Sequence, residues 1–153
     1  MIIQQTQIKE IVAALRARCK KIVTTNGIFD ILHVGHIRYL TEAQQLGDIL
    51  IVGVNSDSST KALKGDTRPV NKERDRAEVL DALRAVDYVV IFEEKDPKNL
   101  LSMIQPDMHV KGGDYTLDQI LEKDVVESGG GTIVLLKQSG GYSTTNTIKK
   151  ITG

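Results

Sequence analysis

Five short runs of aliphatic and β-branched residues recur along this chain, and a stretch with helical spacing separates each from the next. The runs are Ile22–Thr25, Ile49–Val54, Tyr88–Phe92, Asp107–Val110 and Thr132–Leu136. Apolar runs this short, bounded by turn residues, read as strands. Ile49-Leu50-Ile51-Val52-Gly53-Val54 has no polar alternation, as expected of a strand buried on both faces. Between the runs, Ile37, Leu40, Ala43 and Leu46 repeat with a helical period. Asn71 reads as the N-cap of a helix to about Ala85, and Asp96-Pro97 opens another to about Ile104. A further helix is expected near Leu117 to Val126, and Ser143 opens a last one with Ile148 and Ile151 turned inward. The polar stretch 56–70 reads as a long loop with room for a short helix.

Strands that alternate with helices of this length imply parallel pairing and right-handed crossovers. The expected fold is therefore α/β: a single doubly wound, Rossmann-like, mostly parallel sheet with helices on both faces. Such sheets bind ligands beyond the carboxyl ends of their strands. That places Asn26–Asp30, Asn55–Asp57 and Lys111–Tyr115 on one rim. Residues 1–20 carry an amphipathic pattern through Ile8, Ile11, Val12 and Leu15. They are set apart as an N-terminal helical extension for packing or dimerisation, with residues 21–153 as the domain proper.

Composition narrows the function classes. The 153 residues hold 20 Lys+Arg and 20 Asp+Glu, so the formal charge is zero. A protein that binds duplexes by neutralising phosphates needs a basic excess, so no nucleic-acid partner is expected. Cys19 stands alone and can form neither an internal disulfide nor a zinc site by itself. No apolar run approaches the roughly 18–20 residues of a spanning helix, and Met1–Gln7 lacks the layout of a signal peptide. The expectation is a cytoplasmic protein with no membrane partner.

The densest chemical signal is Gly27-Ile28-Phe29-Asp30-Ile31-Leu32-His33-Val34-Gly35-His36. A strand ends, Gly27 permits a turn, and a helix begins near Val34 with free N–H groups that favour an anion. His33 and His36 are three apart and can face one volume, while Gly35 lets a phosphate approach the backbone. The plainer readings are a capped helix, or Asp30, His33 and His36 as three zinc ligands. Gly140-Gly141-Tyr142-Ser143-Thr144-Thr145-Asn146 offers a second anion cradle at a helix start, or simply a capped helix. Lys64, Arg68 and Arg76 form a basic set. Gly65-Asp66 and Arg68-Pro69 suggest a mobile loop able to close over phosphates, where a solvated loop is the alternative. Val110-Lys111-Gly112-Gly113-Asp114-Tyr115 would let a base or ribose lie against backbone, with Asp114 accepting from a hydroxyl. His109 reads as structural.

These motifs carry a resemblance. His33-Val34-Gly35-His36 matches the His-x-Gly-His signature of the nucleotidylyltransferase superfamily that includes glycerol-3-phosphate cytidylyltransferase, and Tyr142-Ser143-Thr144-Thr145 resembles its second signature. The stretches Leu63–Asn71, Val110–Tyr115 and Ser143–Ile151 look more specifically like the bacterial heptose 1-phosphate adenylyltransferases of ADP-heptose synthesis. Gln138 departs from the glycerol-3-phosphate branch, which carries arginine there. The resemblance implies transfer of AMP from ATP to a sugar 1-phosphate, with magnesium bridging the phosphates and a homodimer as the assembly. In many bacteria this domain is fused behind a sugar kinase, so a separate enzyme is expected to supply the acceptor here. On this reading His33, His36, Lys64 and Arg76 are catalytic. Gly27, Phe29, Gly112, Asp114, Ser143, Thr144 and Thr145 join the histidines in binding nucleotide, and Asp30 joins Lys64 and Arg68 in binding substrate. The alternatives are a cytidylyltransferase acting on glycerol-3-phosphate or a related ester, and a nucleotide-binding module without turnover.

Overall fold

A computed structural model describes residues 1–113, 115–137 and 140–153. Among these, six strands form one sheet in the order β1-β4-β3-β2-β5-β6, with every pair parallel. The strands are β1 (Ile2–Ile3), β2 (Ile22–Gly27), β3 (Ile49–Asn55), β4 (Tyr88–Phe92), β5 (Met108–Gly112) and β6 (Thr132–Leu136). The helices are α1 (Ile8–Ala17), α2 (Val34–Gln44), α3 (Asp57–Lys64), α4 (Glu73–Asp81), α5 (Lys98–Ile104), α6 (Lys123–Ser128) and α7 (Thr144–Thr152). The doubly wound expectation holds.

Side-chain alternation splits β3 between two cores. Leu50, Val52 and Val54 pack with Leu40 and Ala43 of α2 and Ala77 and Leu80 of α4. Ile51 faces the other way, toward Ile8 and Leu15 of α1 and Leu100 and Ile104 of α5. Each such buried aliphatic side chain contributes roughly 1.5–3 kcal/mol relative to exposure. Residues 1–20 join this second core, and Ile2 and Ile3 pair with Val89 and Val90 to add a strand at the sheet edge.

Four local expectations shift. The 56–70 stretch is mostly helix α3, whose start is capped by Ser56 Oγ accepting the Ser59 N–H at 3.1 Å. The next helix begins at Glu73, with Lys72 at its N-cap, and ends at Asp81; Asn71 is committed elsewhere, as shown below. The helix expected near Leu117–Val126 is broken into a 3-10 turn at Leu117–Gln119 and α6, because Ile120 and Glu122 turn inward between them. Ile151 is exposed rather than inward.

The chain leaves β2 for β3 on one side and later returns to β5 on the other. β2 and β5 therefore flank the point where strand order reverses, and their carboxyl ends open a crevice.

Candidate active site

Two adjoining cavities fill that crevice. The larger, about 470 Å³, is lined by the β2 end, His36, Lys64, Arg68, Lys111, Thr144 and Thr145 among others. The smaller, about 190 Å³, reaches Gly35, Tyr39 and Gly112. Both include Gly27, Phe29, His36 and Lys111.

His33 is the N-cap residue of α2 and His36 lies three residues on, so one helical turn brings the rings together. They stack with centroids 3.9 Å apart, and Tyr142 covers the outer face of His33 at 5.9 Å. Gly35 is needed for this packing: a Cβ there would lie 2.9 Å from His33 Nδ1 and 3.1 Å from Tyr142 Cβ. The glycine thus makes room for the imidazole and Tyr142, not only for a ligand.

Burial pushes the His33 imidazole below its usual range. For His36, burial and then the neighbouring His33 lower it to about 4. Both rings are therefore neutral at pH 7 and would meet a ligand as hydrogen-bonding groups rather than as cations. His36 Nδ1 accepts the His33 backbone N–H at 3.3 Å, which leaves the proton on Nε2. Both ring nitrogens of His33 are buried and lack a partner among the described residues, and, unlike His36, His33 is not on the wall of either cavity. The N–H groups of Val34 and Gly35, in the first turn of α2, have no intrahelical acceptor, and Gly35 lines the smaller cavity.

The second cradle is also present. Ser143 caps α7 by accepting the Asn146 N–H at 2.9 Å, so its hydroxyl serves the helix. Thr144 Oγ1 donates to Ile31 O at 2.9 Å, which ties α7 to the loop before α2. Thr144 and Thr145, in the first turn of α7, line the larger cavity.

The basic set divides. Lys64 is exposed at the end of α3 and lines the larger cavity. Arg68 donates through Nε to Asp30 Oδ2 at 2.8 Å, and the residue lines the larger cavity. Arg76 is a correction: its side chain is completely buried, and it donates to Asn71 O (2.9 Å), Ile28 O (2.6 Å) and Asp57 Oδ1 (2.9 Å). With its donors committed to the fold, Arg76 is a brace under the loop and not a phosphate ligand.

Asp30 is a second correction. Its carboxylate is fully buried and accepts from Arg68 Nε and from the backbone N–H groups of Val70 and Asn71, all at 2.8 Å. Burial pushes this carboxyl up, but Asn71, Val70 and Arg68 outweigh it and hold it below the usual carboxylate range. Asp30 therefore anchors the 68–71 segment instead of touching substrate, and the loop expected to close freely is tethered there. This commitment also removes Asp30 from any zinc triad. Among the described residues, no group of three or more His, Cys, Asp or Glu is placed to hold a metal ion.

Gly27 and Phe29 line both cavities. A Cβ at Gly112 would meet the Tyr39 ring at 2.9 Å, so its smallness seats that ring beneath the strand end. Tyr39 Oη donates to Val110 O at 2.9 Å and lies 2.6 Å from Thr25 Oγ1. Asp114 and Gln138 lie outside the described residues.

Sequence reasoning assigned no role to Lys111, which ends β5 in the Val-Lys-Gly-Gly stretch. Its Nζ lies 2.8 Å from Glu122 Oε1 and 3.3 Å from Asn26 Oδ1. Glu122 Oε1 is also 3.1 Å from His109 Nε2, and His109 Nδ1 is 2.8 Å from Thr24 Oγ1. Burial pushes the Glu122 carboxyl up, but His109 and Lys111 more than offset this and hold it at about 2. Burial keeps His109 below its usual range and neutral despite Glu122. A charged strand-end residue before paired glycines was the one available signal; its partner Glu122 left none.

A family model described as cytidylyltransferase-like matches residues 24–150. The chain is 54% identical over 150 residues to the bifunctional protein HldE of Klebsiella pneumoniae (strain 342), and equally to that of Enterobacter sp. (strain 638). These matches cover 98% of this chain but 31% and 32% of those proteins, so the chain spans about a third of the length of its curated relatives. Among solved structures, the lipopolysaccharide core biosynthesis protein from Thermoplasma volcanium GSS1 is 32% identical with a TM-score of 0.65, covering 81% of this chain and 99% of that one. Pantoate-beta-alanine ligase from Francisella tularensis, complexed with beta-gamma ATP and beta-alanine, shares the fold at a TM-score of 0.72 and 19% identity, over 97% of this chain and 72% of that one.

Proposed function

The chain belongs to the cytidylyltransferase-like family, and we propose that it transfers AMP from ATP to a heptose 1-phosphate, giving ADP-heptose and pyrophosphate. The observation that carries the reading is the stacked, neutral His33–His36 pair at a helix start, with both His33 nitrogens unpartnered among the described residues. The heptose acceptor is supported by the likeness to HldE and to a lipopolysaccharide core biosynthesis protein.

An oxygen of the sugar phosphate bonds to the α-phosphorus of ATP. The bond from that phosphorus to the oxygen leading to the β-phosphorus breaks, and its electron pair leaves with pyrophosphate. The attacking oxygen is already ionised, so no general base is required; the work is positioning and charge stabilisation. His36, on the wall of both cavities, would donate its Nε2–H where charge builds on the phosphoryl oxygens, with His33 behind it and the first N–H groups of α2 adding to the effect. The α7 N–H groups and Lys64 suit the outer phosphates, and the free end of Arg68 suits the acceptor phosphate. Gly27, Phe29 and Gly112 shape the nucleotide side.

Magnesium belongs to this proposal as the companion of the triphosphate. The Asp30 and Glu122 carboxylates are committed to Arg68 and Lys111, so phosphate oxygens and water would supply most of its ligands. A homodimer in the cytoplasm completes the reading. Among the described residues no helix is long and apolar enough to cross a membrane, and sedimentation velocity tests the dimer.

The decisive experiment is an acceptor-by-nucleotide matrix with magnesium, read by pyrophosphate release. ATP with heptose 1-phosphate should be the fastest pair, and His33→Ala should lower kcat by about 10²-fold or more. Faster turnover of CTP with glycerol-3-phosphate, or ATP binding without pyrophosphate from any acceptor, would overturn the assignment.

A further inference from the structure

We infer that Lys111 is a further catalytic residue, contacting the phosphate under transfer, and that Glu122 is the positioning residue that holds it there. The inference rests on the nucleotidyl-transfer reading of this crevice.

The two cavities meet along a shared wall, and a phosphate passed between two substrates must sit where their volumes join. Among the described side chains that line both cavities, Lys111 is the one with a full positive charge; His36, the other titratable nitrogen base there, is neutral. Lys111 ends β5 directly beside the end of β2, at the reversal of strand order. Its ammonium has three N–H donors. Glu122 Oε1 and Asn26 Oδ1 take two; the Tyr115 ring lies 5.8 Å from Nζ, and the third N–H has no acceptor among the described residues, so it is available to a ligand in the cavity.

The support behind Lys111 is elaborate for a merely structural contact. Thr24, His109 and Glu122 form a hydrogen-bonded chain that starts inside the sheet and ends on the ammonium. The His109 side chain is fully buried and that of Glu122 is 4% exposed. Buried ion pairs stabilise folds poorly compared with apolar residues of similar volume. What this chain does supply is a fixed location for a long, flexible side chain. During transfer Lys111 keeps its proton and donates a hydrogen bond to a non-bridging oxygen of the α-phosphate, while the acceptor oxygen bonds to phosphorus and pyrophosphate departs with its electron pair.

The test compares Lys111→Met, Lys111→Arg, Glu122→Gln and the double variant Lys111→Met/Glu122→Gln in the whole chain. Pyrophosphate release is followed with ATP and heptose 1-phosphate. Binding is measured for the ATP analogue with a methylene bridge between the α- and β-phosphates. Lys111→Met should lower kcat by about 10²–10³-fold with the acceptor KM within about 3-fold, and Lys111→Arg should recover about 10-fold of that loss. Glu122→Gln should lower kcat about 10-fold alone but less than about 2-fold in the Lys111→Met background, because its effect runs through Lys111. Turnover of Lys111→Met within about 3-fold of the parent would overturn the catalytic role. Equal Glu122→Gln losses in both backgrounds would overturn the positioning role.

If Lys111→Met alone fails to fold, the double variant, which strands no buried charge, is compared with Glu122→Gln instead. If the parent releases no pyrophosphate with any sugar phosphate, the transfer reading fails by itself. Analogue binding then decides the contact that the inference places at Lys111: affinity about 10-fold weaker in Lys111→Met supports a lysine–phosphate contact, and equal affinity overturns it.

Discussion

Asp30→Asn isolates the anchor beneath the cationic wall, because it preserves shape while it removes a charge and turns one acceptor edge into a donor edge. In the native protein one carboxylate oxygen takes N–H bonds from Arg68 and Val70, and the other takes that of Asn71. An asparagine can offer oxygen to only one edge. Its better orientation keeps Arg68 and Val70 and sets its NH2 against the Asn71 N–H. One buried donor then goes unpaired, at about 1–3 kcal/mol, and the Arg68 bond falls from charge-assisted to neutral, at about another 1–2 kcal/mol. The sum, about 2–5 kcal/mol, overlaps the range for breaking a buried ion pair. Asp30 is fully buried, so solvent screening does not reduce this. Urea unfolding at pH 7 should show the loss with an unchanged m-value, and amide exchange should quicken at residues 68–71. The acceptor KM should rise as Arg68 comes loose. The sign with pH follows from the lowered carboxyl. The native advantage is present above the carboxyl's unfolded pKa and lost as pH falls through its folded value, so the two proteins converge in acid. A difference under about 1 kcal/mol at pH 7, or one that widens on acidification, would refute the reasoning.

Three further outcomes are expected. Arg76→Met strips Asp57 and two backbone carbonyls of their donor and should cost about 3–5 kcal/mol in denaturant unfolding; a variant as stable as the parent that has lost turnover would return Arg76 to the reaction. Gly35→Ala gains up to about 1 kcal/mol of helix propensity, yet it crowds His33, so kcat should fall about 10–100-fold while the melting temperature holds; unchanged kcat would show that the imidazole position is not critical. His36 titrates near 4 instead of 6.5, so the unfolded chain binds a proton that the folded one refuses between those values. Stability is full above about 6.5 and declines as pH falls to about 4, by about 1–2 kcal/mol after discount for partial exposure. His36→Gln should flatten that segment of the pH–stability curve, and an unaltered slope would count against the neutral ring.

The sheet was legible because its strands announce themselves: an uninterrupted aliphatic run such as Ile49–Val54 has few alternatives to a doubly covered strand. The histidine pair was legible for a local reason, since three-residue spacing at a strand-to-helix junction fixes their proximity. What escaped was every fact set by a distant partner. Arg76 looks like a free cation until the Ile28 carbonyl, 48 residues away, accepts its N–H hydrogen bond. Asp30 looks like a ligand until the backbone of Val70 and Asn71 folds over it. Glu122 sits in a stretch with helical spacing, but its partnership with His109 and Lys111 turns it inward, and the expected helix breaks there. Local pattern reports periodicity; it cannot report which polar groups will be buried together.

The absence of charge on the two stacked imidazoles bears on how the products depart. Fixed imidazolium groups would hold pyrophosphate as tightly as they held the incoming triphosphate, and such indiscriminate grip lowers the occupancy needed for saturation without quickening turnover. Uncharged donors bind a resting phosphate weakly and respond most to the extra negative charge of the pentacoordinate state. On the transfer reading, the grip on departing pyrophosphate would then fall to Lys64, Arg68 and Lys111 on the same wall rather than to the imidazoles.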